Sequence, residues 1–551
     1  VKSFWLKRGL PTAYPRSWRP GDSLLWPGLL PSLLEMKEVS QDELSKHNVS
    51  GDLWMVIDGD VFDVSKFAKV HPGGPQIMEQ YAGLDVSTEF YELHRRDVLT
   101  KYSKLKIGRL AGAKESQAAD PNGISDVPFA EIPAFQGQSS AYFKDNHRRL
   151  LQDVRTFVKK ELEPIAEAAD LAGDYSDREL QGKLGMAGLM VARMGPGPWI
   201  EQAKELGIHI PGDVQPEEFD YFHEMLVHQE ISRLGRPGFI DSLGAGWLIS
   251  APAVYNFASE EVRQRVGPQL LRGEKWSALA ISEPFAGSDV AGVRCTAQKT
   301  PDGKFYIVSG IKKWITEGMY ADYFVTAVRT GGAGAKGISM LLIERGEGMD
   351  TKQIKTTYST CCGTALVILN NCKVPVSNLM GKEGDGFKQI MYNFNHERWL
   401  IVQSLIGQGR QAVQDTFMWA KQRKIFGKAL IDQPVIRNKL ANASASLESI
   451  QAYNEAVTFD MCTAQGGTHN PRMGGSIALL KYQTTRSSWN IADDCVQIFG
   501  GRGITRTGMG AKVEGFKNFV KYAAVYGGSE EIMADLAIKQ AMRNYPVAAR
   551  L

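Results

Sequence analysis

Ala280-Ile281-Ser282-Glu283-Pro284-Phe285-Ala286-Gly287-Ser288-Asp289 is the stretch on which the fold turns. Pro284 fixes a bend, and Ala286, Gly287 and Ser288 are small enough for the backbone to approach a planar ligand. Alone, it is ordinary turn chemistry, and its surroundings give it meaning. Before it, across residues 141–272, Leu150, Leu151, Val154, Phe157 and Val158 recur at three and four, with Glu and Lys on the other face. After it, the runs 305–308, 323–328, 338–343 and 365–369 read as short strands between Gly/Asp turns. Helical spacing resumes at Gly386, with Phe387, Ile390, Met391 and Phe394 on one face. This α–β–α order favours helical layers flanking a small antiparallel sheet over a doubly wound sheet.

Gly332-Ala333-Gly334-Ala335-Lys336-Gly337 satisfies GxGxxG but runs into the apolar strand 338–343, whereas a dinucleotide fingerprint must open a helix. It reads as a hairpin loop. Three other segments follow the first in order. Lys313-Trp314-Ile315-Thr316 ends a strand. Gln422-Arg423-Lys424-Ile425-Phe426-Gly427 is expected on a basic, amphipathic helix suited to a pyrophosphate. The run 494–503, with Gln497, Gly500 and Gly501, closes a helix and exposes backbone N–H groups. Together with Val525-Tyr526-Gly527-Gly528-Ser529-Glu530-Glu531-Ile532, these segments resemble the acyl-CoA dehydrogenase family across residues 140–545. The resemblance implies FAD as cofactor, with Ile281, Ser282, Ser288, Trp314, Ile315 and Thr316 at its isoalloxazine and ribityl part. It implies Arg423, Phe426, Gln497, Gly500, Gly501 and Ser529 as further FAD contacts, in part from an adjacent subunit, and hence a homodimer or homotetramer.

The reaction that this resemblance implies removes the α proton of an acyl-CoA thioester and passes the β hydrogen as hydride to flavin N5. A thioester α proton is weakly acidic, so the site needs a desolvated carboxylate and hydrogen bonds to the developing enolate oxygen. Many family members carry the base between the Tyr and Gly of the late motif, where this chain has Gly527. The long-chain and isovaleryl-type branch carries it beside an Arg on the first helix of the last domain, matched here by Asn395-His396-Glu397-Arg398-Trp399. The resemblance thus implies Glu397 as base, the Gly527 N–H as donor to the thioester oxygen and Glu530 as reserve carboxylate. It places Ser288, Arg398, Tyr526 and Gly528 against the substrate.

Nearer the N-terminus, residues 53–67 are β-branched and aromatic, interrupted by a Gly59 turn, which is a hairpin signal. Lys69-Val70-His71-Pro72-Gly73-Gly74 follows, then Ala82-Gly83-Leu84-Asp85, Phe90 and His94. The segment resembles a cytochrome b5-type heme-binding domain, which implies His71 and His94 as the two axial ligands of a b-type heme. Imidazoles on both faces leave no open position, so such a heme carries electrons and does not bind oxygen.

The whole reads as a multidomain chain: a small α+β cytochrome b5-like domain at 36–112, a flexible linker at 113–139, then the acyl-CoA dehydrogenase fold. That fold comprises an all-α N-terminal domain at 140–274, an antiparallel β middle domain at 275–382 and a C-terminal four-helix bundle at 383–545. The linker assignment rests on Ala, Ser, Gly and Pro without period.

Composition sets the outer limits. The 551 residues, 43% hydrophobic and 23% charged, suit several globular cores. No run of about 18 apolar residues marks a membrane span. Net charge is +3, and residues 1–35 hold all of it, so no nucleic-acid footprint is expected. That opening segment, Trp- and Pro-rich without an apolar signal region, is read as a disordered or non-native extension. Six Cys without a CxxC pair make zinc or a disulfide framework unexpected. The tail, 546–551, ends in Ala549-Arg550-Leu551, similar to a peroxisomal address, with the mitochondrial matrix or cytoplasm as alternatives. Deleting those three residues should abolish punctate localisation. Three functions compete at this point: an acyl-CoA dehydrogenase reducing its own heme or another redox protein, an oxidase of the same fold using oxygen, and a heme- or acyl-CoA-binding protein with an inactive flavin domain.

Overall fold

The computed structural model describes residues 37–94, 98–99, 102–113, 123–175, 177–358, 360–470 and 472–544. The expected extension at 1–35 and the candidate address at 549–551 lie outside them. The chain forms two compact units: one runs to Ser87 and resumes at Tyr102, the other holds the stretch between and everything from residue 123.

The first unit is built on a five-stranded sheet of order β1-β5-β4-β3-β2: β1 (Glu38–Val39), β2 (Asn48–Val49), β3 (Asp52–Ile57), β4 (Asp60–Asp63) and β5 (Lys106–Leu110). β1 runs parallel to β5, and the other pairs are antiparallel. The hairpin expected at Gly59 is present, with Asp58 and Gly59 both at positive φ (54° and 79°). That pattern is the type I′ turn, whose twist matches the strands it joins. Val39, Leu44, Val56 and Val61 form the core beneath.

In the second unit, helices from Asp145–Phe157 to Glu260–Leu271 precede an eight-stranded sheet, as the α–β–α order requires. Its strands are β6 (Ser277–Ala280), β7 (Thr296–Lys299), β8 (Phe305–Ile315), β9 (Tyr323–Arg329), β10 (Ile338–Glu344), β11 (Met349–Gln353), β12 (Ala365–Pro375) and β13 (Leu379–Met380). The pairing is antiparallel except that β6, and one residue of β7, lie parallel to β9. Gly332–Gly337 joins β9 to antiparallel β10, so the GxGxxG match is a hairpin loop. Four long helices, Gly386–Gln422, Pro434–Thr463, Met473–Phe499 and Ala511–Val525, pack as the expected bundle. A fifth, Glu530–Asn544, lies against Met473–Phe499. No cysteine forms a disulfide, and among the described residues no helix is long and apolar enough to cross a membrane.

Two expectations need correction. Residues 423–427 do not sit on a helix: the Gly386–Gln422 helix stops, and Lys424–Ile425 pairs with Lys428–Ala429 around Phe426 and Gly427, both at positive φ. The linker expected over 113–139 is also shorter than read, because Ala130 is buried and Ile132, Ala134 and Phe135 belong to the main core. Buried Glu131 pairs with Arg155 at 2.9 Å, and Arg155 pairs with Glu230 at 2.8 Å. Burial alone would raise the Glu131 carboxyl, yet Arg233 and Arg155 hold it below its ordinary value. Arg155→Ala should therefore destabilise this unit by about 3–5 kcal/mol, because it strands two buried carboxylates. Thermal unfolding would show it, and an unchanged midpoint would refute it.

Candidate active site

Glu283 organises the segment that decides the fold. Its carboxylate accepts the N–H groups of Arg294 and Cys295 at 2.7 and 2.9 Å and pairs with Lys312 at 2.8 Å. Lys312, fully buried on β8, also donates to the Ile281 carbonyl at 3.1 Å. Lys313 N–H donates to the Ser282 carbonyl, so the loop is pinned along the end of β8. Trp314 follows with φ 68°, its ring 53% exposed beneath the Lys313 ammonium. A left-handed tryptophan costs of order 1–3 kcal/mol, and such strain concentrates at ligand sites. The Ile281 and Ile315 side chains are buried in the core, which leaves only their backbone to face a ligand. Ser282 and Thr316 are half-buried, and Ser288 is exposed. A large exposed ring beside small, accessible residues fits a planar aromatic cofactor.

Buried Glu317, also left-handed, accepts Trp247 N–H at 3.0 Å and so caps the helix Ala245–Phe257. Burial pushes its carboxyl up to about 8.

A second cluster gathers around Trp419. The Arg423 and Arg502 guanidinium groups lie 5.9 and 4.8 Å from its ring, and Phe499 stacks on it at 5.6 Å. Gly500 and Gly501 follow Phe499 on the surface, and a Cβ added at either would meet nothing within 4 Å. Exposed Gln497 occupies the last turn of the same helix. Phe426, at the hairpin tip, is 94% exposed. Cations beside unobstructed backbone N–H groups suit a pyrophosphate. Ser529 stands apart from this cluster in sequence, at the start of the helix Glu530–Asn544, and its Oγ accepts Ile532 N–H at 3.5 Å.

Glu397 lies in the Gly386–Gln422 helix, buried, and its Oε2 has no hydrogen-bond partner among the described residues. Burial raises its carboxyl, against the pull of Arg398, Lys481 and His396. Gly527 faces it at φ 64°: a Cβ there would stand 3.5 Å from Glu397 Oε1 and 2.4 Å from Ile401 Cδ1. Only a residue without a side chain leaves that space open. Arg398 Nε donates to the Gly527 carbonyl at 3.2 Å, and buried Lys481 donates to the carbonyls of Tyr526 and Gly528. Glu530, the reserve candidate, is drawn to Arg486, 3.5 Å away. The structure thus joins Glu397, Arg398, Tyr526, Gly527 and Gly528, and it adds Lys481, Lys312 and Glu283 to the residues singled out by sequence. Lys481 left one signal, a lysine after Ile477-Ala478-Leu479-Leu480 within a helix.

His147, Asp220 and His223 also converge, but their groups close helix N-termini: Asp220 accepts Phe222 and His223 N–H, and His147 Nδ1 accepts Lys144 N–H. In the heme-type segment, His71 follows the Phe67–Val70 turn and its Nδ1 engages the Gly73 N–H at 3.2 Å. His94 follows the helix Ser87–Leu93, with Nδ1 3.1 Å from the Phe90 carbonyl and its ring stacked on Phe90. A metal-bound imidazole donates its other ring N–H to a carbonyl or carboxylate, and His94 Nδ1 is placed to do so toward Phe90, whereas His71 Nδ1 accepts the Gly73 N–H.

Comparison with known proteins agrees with both family resemblances. The N-terminal, middle and C-terminal domain profiles of acyl-CoA dehydrogenase match residues 144–274, 278–372 and 384–542. A cytochrome b5-like heme/steroid binding domain profile matches residues 40–111. Acyl-CoA dehydrogenase apdG of Emericella nidulans is 38% identical, covering 76% of this chain and 96% of that protein. Acyl-CoA dehydrogenase AFT10-1 of Alternaria alternata is 33% identical, covering 76% and 97%. A solved probable acyl-CoA dehydrogenase from Mycobacterium abscessus superposes with TM-score 0.64 at 28% identity, covering 73% of this chain and all of that one. The chain belongs to the acyl-CoA dehydrogenase family and carries an N-terminal cytochrome b5-like domain. It is an FAD-dependent oxidoreductase acting on acyl-CoA, with a domain of heme-binding type.

Proposed function

We propose that the chain oxidises an acyl-CoA thioester to the trans-2-enoyl-CoA, with Glu397 as base, and delivers the electrons to its own b-type heme, held by His71 and His94. The observation that carries the base assignment is the unpartnered, buried Glu397 oxygen beside Gly527. A carboxylate stripped of water and raised by burial is the base that a weakly acidic α proton demands. The Gly527 N–H donates to the thioester oxygen as charge develops on it, while Arg398, Tyr526, Gly528 and Ser288 orient the substrate. Bound FAD would supply the hydride acceptor; Ile281, Ser282, Ser288 and Trp314 to Thr316 would hold its ring system. Arg423, Phe426, Gln497, Gly500 and Gly501 would hold its diphosphate end, across the interface of a homo-oligomer.

The presence of both redox domains on one chain motivates the last electron step, since a tether keeps donor and acceptor at high effective concentration. Anaerobic mixing of the flavin- and heme-loaded chain with acyl-CoA esters of graded length tests it. Flavin bleaching should be followed by the bands of reduced heme. Bleaching with unchanged heme bands, and peroxide on admitting air, would identify an oxidase instead. His71→Ala and His94→Ala should each remove the heme response while flavin reduction persists; full heme loading of either variant would overturn the ligand assignment.

A further inference from the structure

Lys481 is a buried cation for which the reaction as read above has no task. Its Nζ donates to the carbonyls of Tyr526 and Gly528, the latter at 2.6 Å, and Arg398 takes the intervening carbonyl of Gly527. Two cations thus hold three successive carbonyls. A peptide unit is planar and trans, so fixing the Tyr526 carbonyl also fixes the Gly527 N–H, and fixing that of Gly527 fixes the Gly528 N–H. Both glycines lie at positive φ, 64° and 99°, and no side chain of their own restrains them. A Cβ placed on Gly527 would stand 3.6 Å from Lys481 Nζ and 3.5 Å from Glu397 Oε1. Loop, cation and carboxylate therefore meet at one point.

We propose that Lys481 is a positioning residue for the dehydrogenation: it aims the Gly527 N–H at the thioester oxygen and supplies charge that favours ionised Glu397. This rests on the reading of Glu397 as base. The groups facing the ammonium are Glu397 and Arg398 from the Gly386–Gln422 helix, Tyr526 beyond Ala511–Val525, and Glu530 from the last helix. His396 acts on Glu397 from the same helix turn. Burial pushes the Lys481 ammonium down to about 7, with Glu397 opposing, so it carries its charge on the acid side of neutrality. There, removing it leaves Glu397 with one cation fewer and harder to ionise.

The test is anaerobic flavin reduction by acyl-CoA, followed across the acid and neutral pH range in the loaded full chain and in Lys481→Met. The variant should reduce its flavin more slowly, by up to about 10²–10³-fold, the loss that follows complete removal of an oxyanion donor. The acid limb of its pH profile should move up by about one unit, a readout that packing damage alone does not move. Wild-type rate with an unmoved limb, or slowing with an unmoved limb, overturns the proposal. If Lys481→Met loads no flavin, Lys481→Arg carries the test. Keeping the charge should leave the acid limb in place while the altered geometry slows reduction, and an upward shift there overturns it. Glu397→Gln measured alongside separates the two readings: reduction that survives it sinks the base assignment, whatever Lys481 does.

Discussion

Glu397→Gln should lower flavin reduction by acyl-CoA about 10²–10⁴-fold, the range that a positioned general base contributes, while FAD content stays unchanged. Glu530→Gln should keep most of the activity, because that carboxylate is engaged by Arg486 at 3.5 Å. Surviving activity in the first variant, with loss in the second, would reverse the assignment. Stability offers an independent check with a definite sign. Burial raises the folded carboxyl of Glu397 above its ordinary 4.5, so ionisation opposes folding. Its share of stability is fully present below that value and is lost as pH rises through the folded one. Glu397→Gln should therefore unfold at a temperature no lower than wild type at neutral pH, with the gain shrinking as pH falls toward 4.5. A site that gives up stability to hold a base behaves in this way, whereas a solvated helix charge would show neither effect.

What was legible in the sequence depended on how local its cause was. The Asp58-Gly59 hairpin, the strand after the false GxGxxG and the end of β8 at Trp314 follow from turn chemistry and period within a few residues. Glu397 was legible through its neighbours Asn395 to Trp399, a resemblance that no spacing rule supplies. The break after Gln422 was not: Lys424-Ile425-Phe426-Gly427 carries a single glycine, and its charges and rings suit a helix face as well as a tight hairpin. The stretch around Glu131 has no period and reads as tether, because what orders it is a pair with Arg155, 24 residues on. Lys312 was invisible for the same reason, its partner lying 29 residues away, and Lys481, with an acceptor 47 residues away, showed only the apolar run before it. A buried lysine looks in sequence like any surface lysine until the fold supplies its acceptors.

Lys312→Met should cost about 3–5 kcal/mol and release FAD, because it removes one half of a fully buried pair and leaves the other half charged. The site of the damage follows from the geometry. Glu283 holds Arg294 and Cys295 N–H with the carboxylate that Lys312 neutralises, and Lys312 itself holds the Ile281 carbonyl. The loop that frames Ser282 and Ser288 therefore loses its anchors together, so flavin content should fall before the helices melt. The double variant Lys312→Met, Glu283→Gln should recover part of the unfolding temperature, since no buried charge is then left unpaired, without recovering FAD binding. Lys299→Met removes the exposed pair with Glu383 in the turn after β13, and there the cost should be about 1 kcal/mol or less. If Lys312→Met behaves like Lys299→Met, with normal flavin content and an unchanged midpoint, the buried pair does not hold the flavin loop. If instead the double variant is no more stable than the single one, the loss comes from packing of the lysine stem and not from a stranded carboxylate.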